Sequence, residues 1–148
     1  MKRYILLIVS LIALALPAVA QTYSAINLLD GGTSAIVSAN TTSNYSTAAF
    51  TADVRRQQNI GILLSWKLTG TGTDNTVFTF ERSVDNSTYD ALHTFVITQA
   101  NTGATAVTLG TNLTLNGFGY IRLKSIVNND AGDVLTNIVV QYAIKQAD

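Results

Sequence analysis

The alternation of apolar and polar positions between Ile60 and Thr69 sets the theme of the chain. Ile60, Ile62, Leu64, Trp66 and Leu68 interleave with Gly61, Leu63, Ser65, Lys67 and Thr69. Side chains of a strand repeat every two residues, so the first set shares one face and is expected to be core, with Trp66 as a core plug. Thr69-Gly70-Thr71-Gly72-Thr73-Asp74-Asn75 is rich in turn formers and predicts a turn. Thr76 to Val84 predicts the next strand, with Phe78 and Phe80 on one face, and Val84 to Thr88 predicts another turn. Tyr89 to Thr98 predicts a third strand of mixed pattern.

The C-terminal half keeps the rhythm. Ala104 to Leu109 predicts a short strand with Gly110-Thr111 as its turn, and Leu113 and Leu115 belong to another short run. Phe118 to Val127 predicts a strand with Ile121, Leu123, Ser125 and Val127 on one face and Tyr120, Arg122 and Lys124 on the other. After a loop from Asn128 to Asp133, Val134 to Lys145 predicts the last strand, with Val134, Ile138, Val140, Tyr142 and Ile144 on one side. Tyr23 to Leu29, Ser34 to Ser38 and Ser46 to Ala52 are weaker strand candidates. No long segment carries a 3.6-residue apolar period with caps. Eight or nine short strands separated by turn signals predict an all-β fold. The expected architecture is a single antiparallel β-sandwich, either a jelly roll or Ig-like.

The first twenty residues follow a different logic. Lys2 and Arg3 precede an apolar run from Tyr4 to Leu16 broken only by Ser10; Pro17 and Ala18-Val19-Ala20 follow. These are the parts of a secretory signal in order, with cleavage expected after Ala20 and Gln21 as the new N-terminus. The alternative is a retained membrane anchor at the short limit of what spans a bilayer. The expected organisation is residues 1–20 as signal or anchor and 21–148 as one sandwich domain, and the expected address is a virion or an exported location, periplasmic or extracellular.

Composition narrows function mainly by exclusion. Without Lys2 and Arg3 the chain carries seven Lys and Arg against nine Asp and Glu, so no basic excess points to nucleic acid. There is no cysteine, which removes a disulfide framework. His93 is the single histidine, expected as a partly buried structural residue in the predicted strand, and a His-based metal site is not expected. Glu81 is the single glutamate, on the opposite strand face from Arg82. Most aspartates fall in predicted turns, where turn chemistry accounts for them. No nucleophile elbow, phosphate-binding loop or dinucleotide fingerprint is present. The oxygen-rich loop Asn128 to Asp133 is the place to weigh calcium, but it lacks the EF-hand spacing and terminal Glu and reads better as a turn. The chain is therefore expected to have no catalytic, cofactor-binding or metal-binding residues, and not to be an enzyme.

Low charge adds a positive clue. Charged residues make up 12% of the chain, about half the usual ~25% share. Edge strands of a sandwich invite pairing, and the lone proline, Pro17, guards none of them. A surface of Thr, Ser, Asn and Gly suits a protein covered by neighbours, as a homo-oligomer or lattice component. A glycan-binding module would instead need exposed aromatics, for which Tyr45, Tyr89, Phe118 and Tyr120 are the candidates.

The segment Leu68-Thr69-Gly70-Thr71-Gly72-Thr73, followed by Phe78-Thr79-Phe80-Glu81-Arg82-Ser83-Val84-Asp85-Asn86-Ser87-Thr88-Tyr89, resembles small β-sandwich structural proteins of bacteriophage virions. Gly119-Tyr120-Ile121-Arg122-Leu123-Lys124-Ser125 resembles the strand that follows in those proteins. The resemblance covers roughly Ile60 to Lys145. It implies a capsid decoration, spike or fibre component whose partners are copies of itself or other particle proteins. Discoidin-like carbohydrate-binding modules share a similar S-x-D turn and Y-I-R strand, which implies a secreted or cell-surface glycan- or protein-binding module as the alternative. Asn86 and Tyr89 stand where the S-x-D-G-x-x-W form has Gly and Trp, and an export signal is unusual for virion proteins.

Overall fold

The computed structural model describes residues 23–30, 36–45, 51–55 and 59–145; residues 1–20, expected to be a signal or anchor, lie outside them. Nine strands run in chain order: β1 (Tyr23–Asp30), β2 (Thr41–Asn44), β3 (Thr51–Asp53), β4 (Asn59–Leu68), β5 (Asn75–Ser83), β6 (Phe95–Ala100), β7 (Val107–Thr114), β8 (Tyr120–Asn128) and β9 (Leu135–Lys145). There is no helix among the described residues.

The strands form two sheets, one ordered β1-β9-β4-β7 and the other β2-β8-β5-β6, with β3 also on β8. The pairings are antiparallel and nested. β5 pairs β6, β4 pairs β7, β2 and β3 pair β8, and β1 pairs β9. β2 lies along Asn128 to Ser125 and β3 along Arg122 to Tyr120, so the two behave as one interrupted strand. A ribbon of four nested pairs whose alternate pairs fall in alternate sheets is a jelly roll. An Ig-like order would keep the first two strands side by side in one sheet. Here β1 and β2 lie in different sheets, which decides between the two architectures.

The core forms where the sequence alternation points. Ile60, Ile62, Leu64, Trp66 and Leu68 of β4 are all buried, facing Phe78, Phe80, Ile121, Leu123 and Ile126 of the other sheet. Each such side chain contributes about 1.5–3 kcal/mol by leaving water. Trp66 packs on Phe78 with ring centroids 4.9 Å apart, and its indole N–H donates to Asn101 Oδ1 at 2.7 Å. The Thr76 hydroxyl donates to the same oxygen at 2.7 Å, so one loop amide satisfies two buried donors.

Several local expectations are corrected. The strand expected at Tyr89 to Thr98 begins only at Phe95. Asp90 Oδ1 accepts the backbone N–H groups of Leu92 and His93, a side-chain turn that competes with the sheet ladder. His93 therefore sits on this loop with its side chain 67% exposed, not in a strand and not buried. Gly110-Thr111 is no turn: both residues pair with β4, opposite Leu63 and Ile62, and β7 runs through them as one strand. The turn falls instead at Asn116-Gly117, both at positive φ, where the Phe118 N–H donates to the Leu115 carbonyl at 3.1 Å. Asn and Gly tolerate positive φ, and here the turn carries the chain from β7 in one sheet to β8 in the other.

β8 keeps Ile121 and Leu123 inward, but Lys124 is an extra residue opposite the Thr79–Phe80 step of β5. Beyond this bulge the phase changes, so Ile126 is fully buried and Val127 is only half-buried, the reverse of the simple alternation. A second bulge on β9 places Asn137 and Ile138 opposite Trp66 alone, with Asn137 at φ 52°. Leu135 takes the inward place expected of Val134. Of the Ser34 to Ser38 candidate, residues 34 and 35 lie outside the described residues and Val37 makes one isolated bridge to Leu135. Of Ser46 to Ala52, residues 46–50 also lie outside; β3 starts at Thr51, and β2 is a strand the sequence pattern did not announce.

Candidate functional site

Three regions gather the polar and exposed features of the fold. The first is the outer face of the β2-β8-β5-β6 sheet. Glu81 is 4% exposed, with Oε2 accepting from Arg122 Nη2 at 2.7 Å and Nε at 3.0 Å, and Oε1 paired with Lys124 Nζ at 2.7 Å. Burial alone would raise its pKa, but the hydrogen bonds from Lys124 and Arg122 outweigh it and hold the carboxyl below its ordinary value. Glu81 is thus an ionised, fully engaged carboxylate, suited to locking the sheet and not to moving protons. As the strand phase implies, it meets residues of β8 and not its neighbour Arg82.

The aromatic candidates are engaged around this cluster. The Arg122 guanidinium lies 3.5 Å from the Tyr89 ring centre, and the Tyr89 hydroxyl donates to Asn86 Oδ1 at 2.6 Å. Arg55 lies over Tyr120 at 5.5 Å while pairing with Asp53 at 2.6 Å. Arg82 lies over Phe118 at 4.2 Å and Phe95 at 5.4 Å. Tyr45 is half-buried against the core. Tyr89, Tyr120 and Phe118 each carry a guanidinium of their own chain on one ring face, so they do not form a bare stacking platform.

The second region is the loop end around Asn128 to Asp133. Asp130 is 5% exposed and its Oδ1 accepts the N–H groups of Gly132 at 3.1 Å and Asp133 at 2.9 Å. Asp133 Oδ2 accepts the Gly72 N–H at 2.8 Å, and Asn128 Nδ2 donates to the carbonyls of Val37, Ser38 and Asp133. A side chain at Gly72 would collide with the pinned Asp130 carboxylate, so the Gly/Thr turn needs glycine there to close on this loop. Three of the oxygens weighed for calcium, Asn128 Oδ1, Asp130 Oδ1 and Asp133 Oδ2, accept backbone N–H groups that stitch the loops together. No group of three or more His, Asp or Glu side chains gathers as a cation site among the described residues. Asp90 and His93 Nδ1, 2.8 Å apart on the exposed loop, make an isolated pair.

The third region is one flank of the sandwich, where β6 and β7 end their sheets side by side in chain order. Among the described residues β6 pairs only with β5 and β7 only with β4. Four apolar side chains of these strands, Phe95, Ile97, Val107 and Leu109, pack against the core yet stay partly exposed. Val96, on β6, is 57% exposed. From Thr94 to Ile121 the sequence holds no Asp, Glu, Lys, Arg, His or Pro. Next to β7 on the outer face lies an open depression of about 260 Å³, lined by Gly61, Leu63, Gly110, Asn112 and Ala143 among others. No individual residue of the flank stands out in the sequence; the signal available there was the long uncharged stretch.

What this geometry defines is a jelly-roll domain whose polar clusters are turned to internal cohesion and whose least guarded surface is a strand edge. No protein-family model matches the chain, and no curated protein matches it in sequence. Among solved structures it is similar to a chain in the structure of infectious bursal disease virus Gx strain, with a TM-score of 0.51 and 11% identity over 87% of this chain and 33% of that one. It is also similar to the infectious bursal disease virus VP2 subviral particle chain, at a TM-score of 0.47 and 11% identity over 85% and 33% of the two chains. A third similar chain comes from Bacillus endospore appendages, described as disulfide-linked pili, at a TM-score of 0.34 and 15% identity over 86% and 91%. The chain spans about a third of the length of the viral chains it matches. At these identities the likeness to the Gx strain chain establishes a shared β-sandwich fold and nothing finer.

Proposed function

We propose that this protein is a non-enzymatic structural subunit that assembles with copies of itself or with other particle proteins. Within that class the best reading is a virion component of phage type: a capsid decoration, spike or fibre protein. The observation that carries the reading is the combination of a jelly-roll sandwich with an uncharged, unguarded strand edge. Such an edge is a hazard in a free monomer and an asset in an assembly. The leader directs export with cleavage after Ala20, or anchors the particle protein in a membrane if retained, and residues 21–148 fold as one domain. The secreted glycan- or protein-binding module is the weaker alternative, because its candidate aromatics are taken up by Arg122, Arg55 and Arg82.

Density-gradient fractionation of the source culture, read by peptide mass spectrometry, tests the proposal. Co-banding with a nucleic-acid-containing particle is expected, and the N-terminal peptide reports whether the protein starts at Met1 or Gln21. Recovery solely as soluble protein starting at Gln21 would overturn the particle reading and favour the binding module.

A further inference from the structure

We infer that the β6/β7 flank is a self-complementary interface, occupied by the same flank of a second copy of this chain. The inference rests on the assembly reading above and gives it a place on the molecule.

Three independent features converge on this flank. The first is backbone. Both strands are sheet edges among the described residues, so each presents an outward row of N–H and C=O groups to any extended partner. The second is the core. Phe95, Ile97, Val107 and Leu109 belong to the hydrophobic interior but are incompletely covered, so the sandwich is open along this side. A neighbour seated there would finish burying them. The third is charge. No Asp, Glu, Lys, Arg or His side chain and no proline occurs from Thr94 to Ile121, which spans both strands and their connection.

The absence of charge also selects the partner. A partner bringing charged groups to this flank would strip them of water and, apart from Arg82 beside Phe95, offer them no counter-charge, which is costly. The matching surface must itself be an uncharged extended edge. The opposite flank of the chain does not qualify. There β1 ends in Asp30, and β3 carries Asp53 with its ion pair to Arg55. The flank that does qualify is β6/β7 itself, and a patch that matches itself generates a closed two-fold pair. Antiparallel pairing across a two-fold axis extends both sheets of the sandwich without threading or refolding.

The test places charge at exposed positions of the flank, where the fold of a single copy does not depend on the residue. Val96→Lys combined with Thr108→Lys puts like charges on the flank of both copies. Thr42→Lys combined with Asn44→Lys, both exposed on β2, serves as the control on the opposite flank. Each protein, starting at Gln21, is checked for unchanged far-ultraviolet circular dichroism and then sedimented across a concentration series. The β6/β7 variant is expected to raise the dimer dissociation constant at least about tenfold, with the β2 variant keeping the wild-type value. In the wild type, hydrogen exchange at outward amides of β6 and β7 is expected to slow as concentration rises. An oligomer that survives the β6/β7 charges and is broken by the β2 charges would overturn this inference while leaving the assembly reading intact. A wild-type chain that stays monomeric throughout, with no concentration-dependent protection, would overturn both.

Discussion

Glu81 shows how a single residue can be misjudged from its type. As the chain's only glutamate it is a natural first suspect for acid–base chemistry. Its setting gives it a structural role instead: both oxygens are engaged, and its partners Arg122 and Lys124 come from the neighbouring strand. Glu81→Gln would leave those cations without their counter-charge and is expected to destabilise the fold by about 2 kcal/mol, measured by denaturant unfolding at pH 7. The pH dependence has a defined sign. Because the folded-state pKa is depressed, the contribution is present above the unfolded value of about 4.3 and is lost as pH falls through the folded value. The stability gap between wild type and Glu81→Gln should therefore narrow as pH is lowered from 7 to 3. A gap that stays constant would mean the ion pairs contribute nothing.

Asparagine plays a different part. Asn40, Asn86, Asn116 and Asn137 all hold positive φ, so a good share of the chain's Asn content serves as left-handed corners. Asn137 is the most telling, because it sits inside β9 at the bulge opposite Trp66. Asn137→Val is expected to cost about 1–2 kcal/mol, since a β-branched residue resists this conformation, whereas Asn137→Gly should be close to neutral. Thermal melts of the two variants check this, and equal losses in both would contradict the bulge account.

At the scale of elements, legibility followed the physics of each strand. β4 is readable because one face meets the core and the other does not, so apolar and polar positions alternate cleanly. β5 and β9 are readable for the same reason. β8 and β9 also contain bulges, and a bulge changes the phase of inward positions without leaving a mark in hydropathy. That is why Val127 turned out half-buried and Ile126 buried. Gly110-Thr111 reads as a break in β7 because glycine usually punctuates, yet the ladder with β4 runs unbroken from Val107 to Thr114. His93 left its expected strand because Asp90, three residues earlier, builds a turn from its own carboxylate. The Asn116-Gly117 pair is a legible turn signal, though it joins strands of different sheets and forms no hairpin. Of the candidate interface, its neutrality and lack of proline were visible in the sequence. Its location was not, because only strand order reveals that β6 and β7 are both edges on the same flank.

At the scale of the whole molecule, the two flanks of the sandwich differ in kind. One carries the Asp53–Arg55 ion pair; the strands of the other come from a stretch, Thr94 to Ile121, without Asp, Glu, Lys, Arg or His. The Glu81 cluster on the outer sheet face and the Asn128–Asp133 loop are held largely by hydrogen bonds and ion pairs within the chain. This distribution suits the proposed assembly subunit: a buried apolar core, loops tied by internal bonds, and, on the β6/β7 flank, a pair of strand edges without charge in their own sequence. Sedimentation velocity of the purified chain starting at Gln21, over a concentration range reaching hundreds of micromolar, tests that claim most directly. The account predicts species larger than the monomer whose population grows with concentration. A single monomeric boundary at every concentration would contradict it.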